Sequence, residues 1–225
     1  MNIIKTYGRG TCCITLAGWG GGGQSLYFWT GSGNSVMADG WPLKAVSIPK
    51  GPVRSVRTTV LPDPSLVGEC AGVSTAIAGA NRDRRTTKRV RHIQGSNAVL
   101  TPRHLAVSSF TCSPASTLVF SAADDGADVT ERKLYLTELA GEPGVTLLVD
   151  EPGVADDRPE WAPGTGVLFV RWAATDGQLW LLPEGGEPRP LPLFVRTDAG
   201  AYWSGANWDR VIDWSATLPP GLPQG

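Results

Sequence analysis

The sequence predicts an all-β protein that folds as a small or partial β-propeller, with about four to five blades of about 45 residues. Three observations support this prediction. Two consecutive segments between residues 109 and 195 share one plan of strands and turns. The 225 residues include 28 glycines and 18 prolines, which favour many turns and short strands over long helices. The nine tryptophans also indicate strands, because large aromatic rings pack well on a pleated sheet.

The clearest copy of the repeat covers residues 156–195. The apolar run at 167–170 predicts a buried strand, and residues 178–182 predict a second one. Between them, Asp176-Gly177 is a strong turn dipeptide. Gly185-Gly186 predicts the next turn, after which the chain leaves the copy.

The preceding copy, residues 109–150, follows the same plan. Residues 117–120 match 166–169 at a shift of 49, and residues 133–136 match 178–181 at a shift of 45. Asp125-Gly126 stands at the turn between them. Repeats of this length with several short strands are typical of propeller blades.

Fainter copies lie on either side of these two. Residues 14–58 and 66–108 form weak copies, whose strands are predicted at 25–28, 42–46, 75–78 and 88–93. A partial copy covers residues 205–218, where Ile212-Asp213-Trp214-Ser215 resembles Pro159-Glu160-Trp161-Ala162 at a shift of 53. We therefore expect one propeller-like domain over residues 1–225. A β-sandwich whose strands look alike is the alternative.

The stretch from Arg158 to Leu191 resembles the TolB-type propeller repeat. It has an arginine-proline-x-tryptophan start, then an apolar strand, a glycine-x-leucine-tryptophan strand and a double-glycine turn. The resemblance is good over about 35 residues, fair over the 40 or so before them, and thin over residues 1–108. The chain departs from the repeat at Gly164-Thr165, where the family has aspartate-glycine, and at Pro192, where a threonine is usual.

This resemblance implies one of two roles. The first is an interaction scaffold of the bacterial envelope, and the second is the accessory propeller of a prolyl-oligopeptidase-type serine hydrolase whose catalytic domain is absent from this chain. A stand-alone propeller lyase or glycoside hydrolase is a third alternative, which only the carboxylate pairs support. Because no catalytic constellation is recognisable, we predict a non-enzymatic binding module with a protein or peptide partner at one loop face.

Two acidic pairs, Asp124-Asp125 and Asp156-Asp157, lie at similar places in the repeat. Together with Arg158 they are the predicted binding residues. Loop carboxylates can gather around a cation, but turn formation and contact with water explain these pairs equally well. We therefore predict neither a metal site nor a cofactor.

Other motifs favour structural roles. The glycine run at 18–23 formally contains G-x-G-x-x-G, but a predicted strand follows it, whereas a dinucleotide site needs a helix there. His92 and His104 have no nucleophile beside them, which favours surface or strand-edge roles. A basic cluster could bind an acidic partner, although a solvated loop is the favoured interpretation. The cluster comprises Arg82, Arg84, Arg85, Lys88, Arg89 and Arg91. The net charge of −1 argues against nucleic acid as a partner.

The cysteines at 12, 13, 70 and 112 match no zinc pattern, and we expect mostly reduced, small core residues. A Cys70–Cys112 disulfide would require an oxidising compartment. No run approaches the roughly 18 apolar residues of a membrane span, and the N-terminus is a poor signal peptide. The sequence as written therefore predicts a cytoplasmic protein. If the N-terminus is truncated, the family resemblance would instead imply the periplasm or cell envelope.

Overall fold

The computed structural model describes residues 14–31, 40–49, 51–62, 67–79, 88–96, 98–113, 115–127, 129–139, 144–173 and 176–196. Apart from a short 3₁₀ turn at Val129–Glu131, the regular structure in these ranges is entirely β. The prediction of an all-β fold is confirmed. The strands are β1 (Ile14–Gly20), β2 (Ser25–Thr30), β3 (Trp41–Ser47), β4 (Val53–Val60), β5 (Val67–Cys70), β6 (Val73–Ala78), β7 (Arg89–His92), β8 (Leu105–Cys112), β9 (Thr117–Asp124), β10 (Lys133–Glu138), β11 (Val145–Val149), β12 (Ala155–Ala162), β13 (Gly166–Ala173), β14 (Asp176–Pro183) and β15 (Arg189–Arg196).

The last eight strands form two separate four-stranded antiparallel sheets. One has the order β11-β10-β9-β8, which we call the third group, and the other has the order β12-β13-β14-β15, which we call the fourth group. The predicted strands at 117–120, 133–136, 167–170 and 178–182 lie in β9, β10, β13 and β14. β9 and β13 are buried on both faces, which agrees with their continuous apolar runs.

One predicted turn in the fourth group is wrong. Asp176 and Gly177 are the first residues of β14, where they pair with Ala173 and Trp172 of β13. Trp172 leaves no room for a side chain at position 177, because a Cβ at Gly177 would come within 2.8 Å of the indole ring. Close packing of a ring thus explains the glycine, which sequence reasoning assigned to a turn.

The first half of the chain contains two further groups of strands. β1 to β4 form an antiparallel meander, the first group, and β5 to β7 form the second group. One residue pair, Val60–Ala78, joins the two groups into a single sheet. The predicted strands at 25–28, 42–46 and 75–78 lie in β2, β3 and β6, and 88–93 overlaps β7. The glycine run forms the β1–β2 turn, where Gly21, Gly22 and Gly23 have φ values of +62°, +63° and +81°.

The four groups follow one another as the blades of a propeller do. β1 packs beside β5, β5 beside β8, and β8 beside β12, so that the first strands of successive groups are neighbours. Apolar side chains fill the joints between groups. Ile77 and Val90 of the second group pack with Phe120 of the third, and Leu134 of the third packs with Phe169 of the fourth.

A disulfide crosses the joint between the second and third groups. It links Cys70 at the end of β5 to Cys112 at the end of β8, with a Cα–Cα distance of 5.4 Å. The expectation of reduced thiols is therefore wrong for this pair. The first strand of each group, which we call its inner strand, packs beside that of the next group, and β5 and β8 bring both cysteines to the same end of the joint.

Several predicted features lie outside the described residues. They are the partial repeat at 205–218, the cysteines Cys12 and Cys13, and the arginines Arg82, Arg84 and Arg85. In the part of the chain that the structure describes, no helix has the length and apolar character needed to cross a membrane.

Candidate functional site at the loop face

The five predicted binding residues come to one end of the third and fourth groups, where β9 ends and β12 begins. Backbone hydrogen bonds tie the connections together at this end. The N–H of Asp125 donates to the carbonyl of His104 (2.7 Å), and the N–H of Asp156 donates to the carbonyl of Arg132 (3.0 Å). We call this end of the sheets the loop face. It is built by the connections at 100–104, 125–132 and 150–154.

Asp157 lies at the centre of a hydrogen-bond network beneath the loop face. Its Oδ1 accepts hydrogen bonds from the hydroxyls of Ser108 (2.8 Å) and Ser109 (2.5 Å), both on β8. Its Oδ2 accepts one from Nη1 of Arg132 (2.6 Å), in the β9–β10 connection. The carboxylate therefore joins three segments from two strand groups, although only 7% of the residue is exposed.

The surroundings of Asp157 stabilise its charged form. Burial by itself raises the pKa of this carboxyl. The positive charges of Arg132 and Arg158, and the hydrogen bonds from Ser109 and Ser108, outweigh burial and lower the pKa of Asp157 to about 2. The residue is thus a fixed anion at neutral pH, and its hydrogen-bonding capacity is used within the protein.

Asp156, fully buried, forms a second ion pair within the fourth group. Nε and Nη2 of Arg171 bind its two oxygens at 2.8 and 3.0 Å, in the bidentate geometry that suits a guanidinium and a carboxylate. Nη1 of Arg171 also pairs with Glu151, and the guanidinium lies 4.2 Å from the ring centre of Trp180. Burial raises the pKa of Asp156, while Arg171 opposes that rise.

Bulges lie where the inner strands β8 and β12 meet. The β8 register shifts between Val107 and Ser109, and the β12 register shifts between Asp157 and Glu160. Within the second bulge, Arg158 has a φ of +55°, in the left-handed region that non-glycine residues rarely adopt. Its N–H donates to Oγ of Ser109 (3.0 Å) and to Oδ1 of Asp157 (2.9 Å), which holds this conformation. Bulges of this kind often re-aim side chains beside functional sites.

The other acidic pair lies at the surface of the loop face. Asp124 and Asp125 are exposed, and the N–H of Ala127 closes the predicted turn by donating to the carbonyl of Asp124 (2.9 Å). Most of the exposed charged residues in this part of the loop face are acidic. In the described third group and its flanking connections they are Asp124, Asp125, Glu131, Asp150 and Glu151, with Arg103 beside them. Burial raises the pKa of the Tyr135 hydroxyl, and the charges of Asp124 and Asp150 raise it further.

The two acidic pairs share the loop face but lie at different depths. Asp124 is opposite Leu105 at the start of β8, whereas Asp157 contacts Ser108 and Ser109. Three to four residues along a strand correspond to roughly 10–13 Å. Turn formation and contact with water, which could account for the acidic pairs in the sequence, do not account for Asp156 and Asp157. Both residues lie within β12, and their oxygens bind arginines.

Sequence reasoning missed the partners of these carboxylates. Arg132, Arg171, Ser108 and Ser109 were not singled out, although the repeat carried a usable signal. Ser108 precedes Asp157 by 49 residues, which is the shift that aligns β9 with β13. Equivalent positions on neighbouring inner strands therefore meet across the joint.

The remaining candidates have structural surroundings. In the described ranges, no three histidine, cysteine or acidic side chains are grouped so that they could hold a metal ion. Arg89 of the predicted basic cluster is buried, and its Nη1 donates to the carbonyl of Leu105 (2.8 Å). His92 lies half-buried on β7 within 3.3 Å of the Thr75 hydroxyl, and burial lowers its pKa. His104 is exposed at the loop face.

No protein-family profile matches the chain, and no curated protein matches it. Solved structures of peptidases do resemble it. Prolyl oligopeptidase B from Galerina marginata has a TM-score of 0.54 and 8% identity, over 79% of this chain and 27% of that one. A prolyl endopeptidase has a TM-score of 0.52 and 16% identity, over 80% and 27%. Oligopeptidase B from Trypanosoma brucei has a TM-score of 0.50 and 14% identity, over 79% and 26%.

At these identities the likeness concerns the fold alone. The chain spans about a quarter of the length of the matched peptidases, according to the covered shares of 27%, 27% and 26%. The part that corresponds is a propeller domain. Together with the ordered strand groups, the comparisons show that this chain has a β-propeller fold.

Proposed function

We propose that this protein is a non-enzymatic β-propeller binding module, similar to TolB-type propellers, which holds a protein or peptide segment at its loop face. The observation that supports this proposal is that the two acidic pairs have different surroundings, one buried and one exposed. Asp156 and Asp157 are fully engaged by arginines and serines, and they stiffen the face from below. Asp124 and Asp125 remain exposed above them. A rigid support with accessible charged loops suits recognition.

The charge of the loop face indicates the chemistry of the partner. The exposed carboxylates near Tyr135 favour a segment that carries lysine or arginine, because opposite charges raise the rate and selectivity of association. In this proposal Asp124 and Asp125 contact the partner. Asp156, Asp157 and Arg158 set the shape of the surface on which it lies.

A peptide-binding assay tests the proposal. Fluorescence anisotropy would measure the affinity of an arrayed set of 12-residue peptides whose net charge ranges from negative to positive. We expect binding of positively charged peptides, weakened at least fivefold in the Asp124→Asn/Asp125→Asn variant. Glu184→Gln/Glu187→Gln is the matched control, because it removes two exposed carboxylates from the β14–β15 turn at the opposite end of the sheets. Equal losses in both variants, or no preference for charge, would count against the loop face.

A second candidate is the accessory propeller of a prolyl-oligopeptidase-type serine hydrolase. The likeness to three peptidases, each covered over about a quarter of its length, favours this candidate at the level of the fold. Reading the gene sequence beyond this chain would test it. A following serine-hydrolase domain would support the accessory role, and an intact gene of this length would exclude it.

The third candidate, a stand-alone lyase or glycoside hydrolase, receives less support. Its chemistry would rest on Asp156 and Asp157, whose carboxylates are engaged by Arg171 and Arg132. Turnover of oligosaccharides that is abolished in Asp156→Ala or Asp157→Ala variants that still fold would revive it.

The compartment is part of the proposal. The Cys70–Cys112 disulfide supports the periplasm or cell envelope, which the TolB resemblance implies, over the cytoplasm that the N-terminal sequence predicts. Thiol labelling of the protein from its native cells tests this point. Labelling of Cys70 and Cys112 without prior reduction would favour the cytoplasm.

A further inference from the structure

Two of the outer sheet edges are occupied by other parts of the chain. We call the last strand of each group its outer strand: β4, β7, β11 and β15. β4 is joined at its end to β6 of the second group. Residues 98–100 cover the edge of β7, since the N–H of His92 donates to the carbonyl of Ala98 (3.0 Å) and the N–H of Leu100 donates to the carbonyl of Val90 (2.9 Å). Addition of a strand along either edge is therefore obstructed.

Prolines protect the edge of a third outer strand. β15 carries Pro190 and Pro192. Because proline has no N–H, strands at the edge of a sheet place it where this donor would face solvent. Two donors are therefore missing from the side that an added strand would meet, which discourages pairing with another chain.

The outer edge of β11 has no such protection. The strand contains neither a proline nor a charged residue, and its side chains Val145 and Leu147 are 36% and 41% exposed. In the ranges that the structure describes, β10 is the element that packs extensively on β11, and no backbone hydrogen bond beyond the ladder to β10 involves β11. An open edge of this kind is a template for a further strand.

The charge beside β11 indicates which kind of strand fits. β11 runs directly into Asp150 and Glu151, which are exposed in a connection of the loop face. The charges of Asp150 and Asp124 both raise the pKa of the Tyr135 hydroxyl, so the end of β11 shares the negative charge of the loop face. The β11 of a second copy does not match this charge, because it contains no basic residue. A segment with lysine or arginine at one end matches it.

Building on the proposed function, we propose that the basic segment bound at the loop face continues along β11 as an added antiparallel strand. Antiparallel pairing is the arrangement within the third group itself. The segment therefore runs opposite to β11, with its N-terminal end beside Asp150. Its alternate side chains lie next to Val145 and Leu147, which share a face of the sheet with Tyr135. The partner is thus an extended segment in which basic residues precede an alternating apolar stretch.

Two sets of synthetic peptides test the added strand, with affinities measured by fluorescence anisotropy. The first set compares a peptide of several lysines followed by alternating valine and threonine with a peptide that has the same residues in reverse order. We expect the first peptide to bind at least fivefold more tightly. The second set carries a backbone N-methyl group at successive positions of the alternating stretch. Methylation should abolish binding at every second position and be tolerated between them, because an added strand directs alternate N–H groups toward its neighbour.

A pair of protein variants locates the strand on β11. Val145→Thr/Leu147→Thr removes the apolar contacts but keeps a residue type that suits strands. We expect it to weaken binding of the lysine-first peptide at least fivefold. The matched control is Ile14→Thr/Leu16→Thr, which changes two exposed aliphatic side chains at the same spacing on β1 and should leave the affinity unchanged. Equal losses in the two variants would overturn the proposal.

The remaining outcomes separate the added strand from the proposed function. Binding of basic peptides that is insensitive to residue order and to the position of the N-methyl group would overturn the added strand and leave the loop face as the binding site. Failure of every basic peptide to bind would overturn the proposed function as well. Dimerisation of the chain without peptide, observed by sedimentation and lost in Val145→Thr/Leu147→Thr, would assign the edge to a second copy and would also overturn the proposal.

Discussion

Asp157 of β12 accepts a hydrogen bond of 2.5 Å from the hydroxyl of Ser109 on β8, across the joint between the third and fourth strand groups. The same serine oxygen accepts the N–H of Arg158 at 3.0 Å, so two neighbouring bulges are tied to each other. Polar contacts of this kind fix the relative position of two sheets more narrowly than apolar packing does, because hydrogen bonds are directional. The joint sets the geometry of the loop face above it.

Replacing Asp157 with asparagine should destabilise the joint. The Asp157→Asn variant keeps the shape of the side chain, and its amide oxygen can still accept from Ser108 and Ser109. It removes the negative charge, however, and it replaces the oxygen that binds Arg132 with an NH₂ group, which cannot accept a hydrogen bond. We expect a loss of about 2–4 kcal/mol in the free energy of unfolding, measured with urea at pH 7. Asp150→Asn, at an exposed position, should change it by less than about 0.5 kcal/mol. Equal effects of the two substitutions would refute a special role for Asp157.

The depressed pKa of Asp157 predicts a loss of stability in acid. Its pKa is about 2 in the folded protein, below the value of about 3.9 of an unfolded chain. The unfolded state therefore takes up the proton first. The stabilisation is complete above about pH 4 and disappears as the pH falls through 2.

Urea unfolding at a series of pH values measures this contribution. Between pH 5 and pH 2, the native protein should lose about 2 kcal/mol more than Asp157→Asn does. Asp156, whose pKa is raised by burial, acts in the opposite direction, but it is present in both proteins and cancels in the comparison. Parallel pH curves for the two proteins would show that Asp157 titrates normally.

Arg171 should not tolerate lysine. Its guanidinium binds both oxygens of Asp156 and lies over Trp180, and an ammonium cannot reproduce the fork or the stacking. We expect Arg171→Lys to lower the free energy of unfolding by about 1–3 kcal/mol, measured by chemical denaturation. Arg189→Lys, at an exposed position of β15, is the control and should be nearly neutral. A neutral Arg171→Lys variant would mean that the charge alone is sufficient.

Reduction of the Cys70–Cys112 disulfide should lower stability by about 4 kcal/mol, because the cross-link closes a loop of 42 residues in the unfolded chain. Unfolding midpoints with and without a reductant measure this effect. The Cys70→Ala/Cys112→Ala variant should be less stable than the oxidised protein and should no longer respond to the reductant at these positions. An identical midpoint for the native protein in both conditions would indicate that the bond does not form.

Local patterns in the sequence predicted much of the fold. The runs at 117–120 and 167–170 became β9 and β13, since apolar residues in a continuous run suit strands that are buried on both faces. The repeat shift also identified the third and fourth groups as equivalent units. Inner strands such as β12 were harder to predict, because Asp156, Asp157 and Arg158 interrupt the apolar pattern.

Patterns in the sequence predicted the all-β class and the repeat, and they drew attention to two acidic pairs, one at the end of β9 and the other near the start of β12. The surroundings of each pair, by contrast, depend on how the sheets pack. Asp124 and Asp157 look alike in sequence, yet one is exposed and the other is buried among Arg132, Ser108 and Ser109. Strand periodicity can be read from the sequence because it is a local property of the chain. Whether a carboxylate is exposed or paired depends on residues dozens of positions away, because the packing of neighbouring sheets decides which of them come within hydrogen-bond distance.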